Sequence, residues 1–141
     1  FEKKLIEASK KLKIKSIILQ CKPSQSLVNE QGNTSIISHL QTEALNKLIL
    51  ESRYVISRSG YTTVMDLAKL KKKSCLIATN GQNEQEYLSS YLGRHGFCLT
   101  SKLEKIDLEK IIGKLDEIHG FANYQQDVVN WKDIFKILAY A

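Results

Sequence analysis

Short apolar runs of strand length alternate with segments of helical periodicity along this chain, and that alternation limits the folds open to it. Ile17-Ile18-Leu19, the β-branched stretch 34–40, Tyr54-Val55-Ile56, Cys75-Leu76-Ile77-Ala78 and Phe97-Cys98-Leu99-Thr100 read as strands. Between and around them, Phe1, Leu5, Ala8 and Leu12, then Leu45, Leu48 and Ile49, then Val64, Leu67, Ala68 and Leu70 recur at helical spacing. Tyr87, Leu88, Tyr91 and Leu92 line a further helix that Gly96 stops, and Asp107 caps one carrying Leu108, Ile111, Ile112, Leu115 and Ile118. Residues 127–140 predict a last helix with Val128, Trp131, Ile134, Phe135 and Leu138 on its apolar side. Residues 22–33, with Pro23, Gly32 and several serines and asparagines, read as a loop. Strands alternating with helices imply an α/β fold, a parallel sheet with helices on both faces. Right-handed crossovers then gather the strand-to-helix turns at one edge, where such sheets bind ligands.

A chain of 141 residues is long enough for one domain with a real core, and the expectation is a single α/β domain over residues 1–141. No apolar run is long enough to span a bilayer, and no signal-peptide pattern is present. The first residue is Phe1, and the expectation is a piece of a longer protein.

The net charge of +6 favours anionic partners, although lysines at helix ends explain much of such an excess. Nucleic-acid binding would call for arginines interleaved with aromatics on one surface. Only Arg53, Arg58 and Arg94 are present, so no nucleic acid is expected. Cys21, Cys75 and Cys98 are far apart and read as buried strand thiols in a reducing, cytoplasmic compartment. They and His39, His95 and His119 show no metal-ligand spacing, so no metal or cofactor is expected.

Two polar clusters stand at carboxyl ends of predicted strands. The first is Ser57-Arg58-Ser59-Gly60-Tyr61-Thr62-Thr63, which runs on into Val64-Met65-Asp66-Leu67. A helix beginning there presents unpaired N–H groups and a partial positive charge. Small residues let a phosphate approach that backbone, Gly60 gives the turn freedom, and Asp66 stands one turn on, where it could accept from sugar hydroxyls. An ordinary turn with N-capping Ser and Thr has the same composition. The second cluster is Thr79-Asn80-Gly81-Gln82-Asn83-Glu84-Gln85-Glu86, whose amides suit sugar hydroxyls and equally suit a solvated helix start.

Taken together, the Arg58-Ser59-Gly60-x-x-Thr63-x-x-Asp66 pattern and the Gly81-Gln82-Asn83-Glu84-Gln85-Glu86-Tyr87 block resemble the C-terminal domain of family-28-like glycosyltransferases, over roughly residues 36–97. That family includes the N-acetylglucosaminyltransferase of the lipid-linked peptidoglycan precursor. The resemblance implies the C-terminal, Rossmann-like half of a two-domain enzyme of the GT-B type, which holds a nucleotide-sugar donor such as a UDP-N-acetylhexosamine. It implies that Ser59, Gly60, Tyr61, Thr62 and Thr63 face the donor's diphosphate and that Asp66, where the family usually has glutamate, takes the ribose. It implies that Gln82, Gln85 and Glu86 read the sugar, Glu86 standing where the family has glutamine, and that His39 and Leu40 lie near the base. The catalytic base and the acceptor, lipid-linked or glycan, would belong to a separate N-terminal domain, with the protein at most peripheral at the cytoplasmic face of a membrane. The competing readings are a nucleotide-sugar epimerase or hydrolase of the same architecture, and a non-catalytic α/β binding module.

Overall fold

The computed structural model describes residues 1–23 and 27–122. Its elements run α1 (Glu2–Ser9), β1 (Ser16–Leu19), β2 (Val28–Gln31), β3 (Thr34–Ile37), α2 (Thr42–Glu51), β4 (Tyr54–Arg58), α3 (Tyr61–Lys69), β5 (Lys73–Ile77), α4 (Asn83–Arg94), β6 (Leu99–Thr100) and α5 (Leu108–Leu115). A single 3-10 turn, Leu103–Lys105, precedes α5. The helix expected over 127–140 lies outside the described residues.

β4, β5 and β6 form a parallel sheet in that order, with β5 in the middle. Alternation along the strands divides the core into two layers. On one face Val55 and Leu76 pack with Val64, Leu67 and Ala68 of α3, Leu92 of α4, Cys98 and Phe121. On the other, Tyr54, Ile56, Cys75 and Leu99 pack with Leu108, Ile111 and Leu115 of α5 and with Leu5, Ala8 and Leu12 at the start of the chain. The sheet thus has helices on both faces, as the alternation predicts.

The other three strands form a second sheet, ordered β1-β3-β2. Here the structure corrects the sequence reading. Residues 28–31, taken as loop, are a strand antiparallel to β3, joined to it through a two-residue Gly32-Asn33 turn with Gly32 at φ +61°. A positive φ at the first turn position suits glycine and closes a tight hairpin. A chain of hydroxyls ties this sheet to α1. Ser16 Oγ lies 3.0 Å from Thr34 Oγ1, which donates to Ser9 Oγ at 3.1 Å, and Ser9 Oγ donates to the Ile6 carbonyl.

Two further differences concern single residues. Cys21 is exposed at φ +57° just past β1, whereas Cys75 and Cys98 are buried as expected. Burial pushes both of those thiols up to about 12, so they stay protonated and inert at neutral pH. α5 ends at Leu115, earlier than the predicted stop at His119-Gly120. Asp116 just beyond it accepts from Arg53 (3.0 and 3.2 Å) and from the Tyr54 hydroxyl. The Tyr54 bond, helped by the Arg53 charge, holds the Asp116 carboxyl below its usual range.

The lysine run 71–73 works at helix ends. Lys72 Nζ donates to the carbonyls of Leu50 (2.6 Å) and Ser52 (2.9 Å) at the end of α2, and Lys73 Nζ donates to the Asp116 carbonyl (2.8 Å) after α5. Lys71 itself closes α3. Its N–H donates to Ala68 (3.1 Å) and that of Lys72 to Leu67 (2.9 Å), with Lys71 in the left-handed region at φ +51°. α4 ends the same way, with Gly96 at φ +72° in the equivalent place. Lysine is strained there and glycine is not. Lys71→Gly is therefore expected to stabilise the fold by about 1 kcal/mol and Gly96→Ala to destabilise it by about as much. Urea denaturation measures both, and a destabilised Lys71→Gly variant would contradict this account of the cap.

Candidate functional site

The chain leaves β4 at Arg58 and enters α3 two residues later, so the turn consists of Ser59 and Gly60 alone. Val64 N–H is the first amide of this helix to bond back into it, to the Gly60 carbonyl at 3.0 Å. The residue at the N-cap is Gly60, which has no side chain with which to cap this end. The amides of Thr62 and Thr63 thus have no acceptor within the helix, and Gly60 supplies no side-chain oxygen to the positive end of its dipole.

Gly60 differs from its sequence reading in an informative way. Its φ of −69° and ψ of 145° are open to any residue, so the turn does not use glycine's freedom. A Cβ added there would meet nothing within 4 Å. What the missing side chain leaves is open space over the start of α3. The buried face of α3 is Val64, Leu67 and Ala68. Thr62 and Asp66, four residues apart, share its exposed face. Tyr61 and Thr63 are half-buried.

Ser59 has another task. It is fully buried, and its Oγ donates to the Gln85 carbonyl at 2.8 Å. Arg58 makes a second link, from its guanidinium to the Ala78 carbonyl at 3.1 Å. The turns after β4 and β5 are therefore clasped together, and the two predicted clusters do meet.

The turn after β5 is held from within by residues expected to read a sugar. Gln85 Oε1 accepts from Thr79 N–H at 3.0 Å, and Gln85 Nε2 donates to Gln82 Oε1. Glu86 accepts from Gly81 N–H at 2.9 Å, with Gly81 at φ +79°. These are side chains of the first turn of α4 reaching back to amides ahead of the helix, in the manner of a capping box. Gln82, Glu86 and Asn80 remain exposed.

Beyond Glu86, toward β6, lies a hollow of about 460 Å³ lined by Ala78, Asn80, Glu86, Ser89, Ser90 and residues 100–102. Its volume is that of a ligand pocket and its walls are hydroxyl-rich. Asn80 Nδ2 lies 3.5 Å from Glu104 Oε1 at its rim, and a backbone hydrogen bond foremost holds the Glu104 carboxyl below its usual range. Sequence reasoning passed over Ser89, Ser90 and Lys102. The spacing Glu86-Ser89-Ser90 on one helical face was the available signal.

His39 and Leu40 follow β3 in the other sheet. The hydrogen bonds that clasp the two turns do not reach them. His39 is exposed and Leu40 half-buried. His95, placed by sequence at a helix end, is there, with Nδ1 2.8 Å from the Tyr91 carbonyl. No group of three His, Cys, Asp or Glu side chains among the described residues could hold a metal ion.

The clasp carries a direct expectation. Ser59→Ala removes a fully buried hydroxyl and its bond to the Gln85 carbonyl, and is expected to cost about 1–2 kcal/mol of stability. Thr62→Ala, on the exposed face of α3, should change it by less than about 0.5 kcal/mol. Chemical denaturation of both checks this, and equal effects would mean that the Ser59 bond does not hold the turns.

The start of α3 with open space above it, an exposed carboxylate one turn on and an amide-rich turn clasped beside it thus lie together at one edge of the sheet. No curated protein matches the chain. Among described residues, no helix is long and apolar enough to cross a membrane. The family description "Glycosyltransferase family 28 C-terminal domain" matches residues 2–130. The chain therefore belongs to the family 28 glycosyltransferase C-terminal domains, which generally bind the nucleotide-sugar donor.

Proposed function

We propose that this domain holds a nucleoside-diphosphate sugar, of the UDP-N-acetylhexosamine kind, as the donor half of a glycosyltransferase that needs no metal at this site. The observation that carries the reading is the start of α3, where the Thr62 and Thr63 amides have no acceptor within the helix, beneath the space left by Gly60. The diphosphate lies over that space and accepts from amides of residues 60–63, with the hydroxyls of Thr62 and Thr63 beside it. Backbone amides and the helix dipole meet the negative charge that grows on the leaving diphosphate during transfer. The net charge of +6 favours the approach of such an anion.

Asp66, exposed on the Thr62 face, accepts from the ribose hydroxyls. The sugar extends toward Gln82, Gln85 and Glu86. Gln85 acts by fixing the turn, since both ends of its amide are engaged there. Glu86 gives one oxygen to Gly81 and lines the hydroxyl-rich hollow, so it is the residue best placed to contact a sugar. His39 and Leu40 are assigned to the base on the family resemblance alone. Ser59 contributes its backbone, because its hydroxyl is committed to Gln85. Transfer to a lipid-linked or glycan acceptor requires a second domain that brings the acceptor and a general base. In this reading the present chain binds donor without turning it over.

Calorimetric titration with UDP tests the assignment. Gly60→Val fits the backbone conformation and its Cβ meets nothing within 4 Å, yet it takes up space over the amides. It is expected to weaken UDP binding about tenfold or more, about 1.4 kcal/mol, while the unfolding midpoint stays unchanged. Asp66→Asn is expected to act in the same direction. Unaltered UDP affinity in both variants would overturn the proposal.

A further inference from the structure

The turns that lead into β1, β4 and β5 lie at the amino edge of the strands, opposite the clasped turns. β4 and β5 are parallel, so the turns ahead of them share that edge. Lys72 Nζ, bonded to the Leu50 and Ser52 carbonyls, ties those two turns together. The turn into β1 is placed by α1. At the start of this helix the Phe1 ring lies 4.0 Å from the Arg58 guanidinium at the end of β4, and Glu2 pairs with Lys22 at 3.6 Å just past β1. The chain that follows α1, residues 10–15, therefore returns toward the amino edge, where β1 begins.

This edge is basic. Lys13 and Lys15 precede β1, and Lys69 and Lys71 close α3, and all four are exposed. Among the described residues none of their side chains makes a hydrogen bond or an ion pair. Lys72 and Lys73 have carbonyls to hold, so the helix ends account for them and not for these four. Of the acids nearby, Glu51 is paired with Lys47 (3.9 Å) and Asp116 with Arg53 (3.0 Å), while Glu117 stands exposed. Lys71 also occupies a left-handed position, φ +51°, that glycine would fill without strain, so the chain keeps a charge there against its backbone preference. Two large aliphatic side chains stand exposed among these cations. Ile14, between Lys13 and Lys15, is 48% exposed, and Leu50, whose carbonyl Lys72 holds, is 56% exposed.

We propose that this edge docks on an anionic phospholipid surface. Ile14 and Leu50 enter the headgroup region, and Lys13, Lys15, Lys69 and Lys71 lay their stems along it with their ammonium groups on the lipid phosphates. Free cations interspersed with exposed aliphatic side chains suit an interface that is charged outside and apolar beneath. A nucleic acid would be met by stacking rings between the cations, and the side chains here are aliphatic. The strands then stand on the bilayer with the clasped turns at their far end, about 17 Å away for a five-residue strand. The lysines of this edge are thus too distant to serve the donor, and the inference does not rest on the proposed donor.

Vesicle flotation tests it. The chain is expected to float with phosphatidylcholine vesicles that carry about 30% phosphatidylglycerol, at roughly 0.1 M salt, and not with vesicles of phosphatidylcholine alone. A lysine near such a surface raises partitioning about fivefold. Lys13→Gln combined with Lys15→Gln is therefore expected to weaken it about tenfold or more. Lys71→Gly is expected to weaken it about fivefold while raising the urea midpoint, a combination that a merely structural lysine would not give. Ile14→Ser combined with Leu50→Ser is expected to weaken it about fivefold or more. Partitioning that is absent, that is equal on the two kinds of vesicle, or that none of these substitutions changes would overturn the proposal. So would tRNA binding that the lysine substitutions weaken while vesicle binding stays as it was, since the edge would then serve a nucleic acid. If a variant does not fold, the comparison of the two vesicle compositions with the unaltered chain still decides.

Discussion

β5 is the strand on which the other elements are set. From Ser74 to Ile77 it is buried on both faces. Leu76 faces the layer of α3 and α4, and Cys75 faces that of α5 and α1. A strand so placed must be apolar throughout and must have neighbours on both edges, which β4 and β6 supply. Once it is fixed, the turns at its carboxyl end and at that of β4 lie side by side. The clasp from Ser59 to Gln85 and from Arg58 to Ala78 then removes their remaining freedom. The site owes its shape to that order of constraint: central strand first, neighbouring turns second, helix start last.

The division of labour among the polar residues follows. Buried or doubly bonded groups, Ser59 and Gln85, hold the turns and are poorly free to contact a ligand. Exposed groups, Thr62, Asp66 and Glu86, have capacity left. The structure thus separates residues that build the surface from those that present chemistry, although the chain writes both in the same alphabet of hydroxyls and amides. Binding to backbone amides suits a diphosphate, because their positions are fixed by the helix and need no reorganisation as charge develops.

Much of this was legible in the sequence. The spacing of Val64, Leu67 and Ala68 fixes the buried face of α3, and from it the exposure of Asp66 follows. Asp107 as a cap, accepting from Lys110 N–H at 3.1 Å, and Gly96 as a helix stop were readable because each acts within a few residues. What escaped depends on partners far away. β2 carries a single apolar residue, Val28, so nothing in its pattern marks it as a strand until β3 pairs with it. Ser59 reads as a cap or a phosphate ligand by type, and only its distance to Gln85, 26 residues on, shows that it is a clasp. The division into two sheets could not be read from strand order at all.

The most direct test of the donor assignment is an amide chemical-shift titration of the domain with UDP. The account predicts that the largest shifts fall on the N–H groups of residues 60–63, with smaller ones at Asp66 and around Gly81. Saturable shifts confined to other parts of the chain, with the start of α3 unmoved, would contradict it.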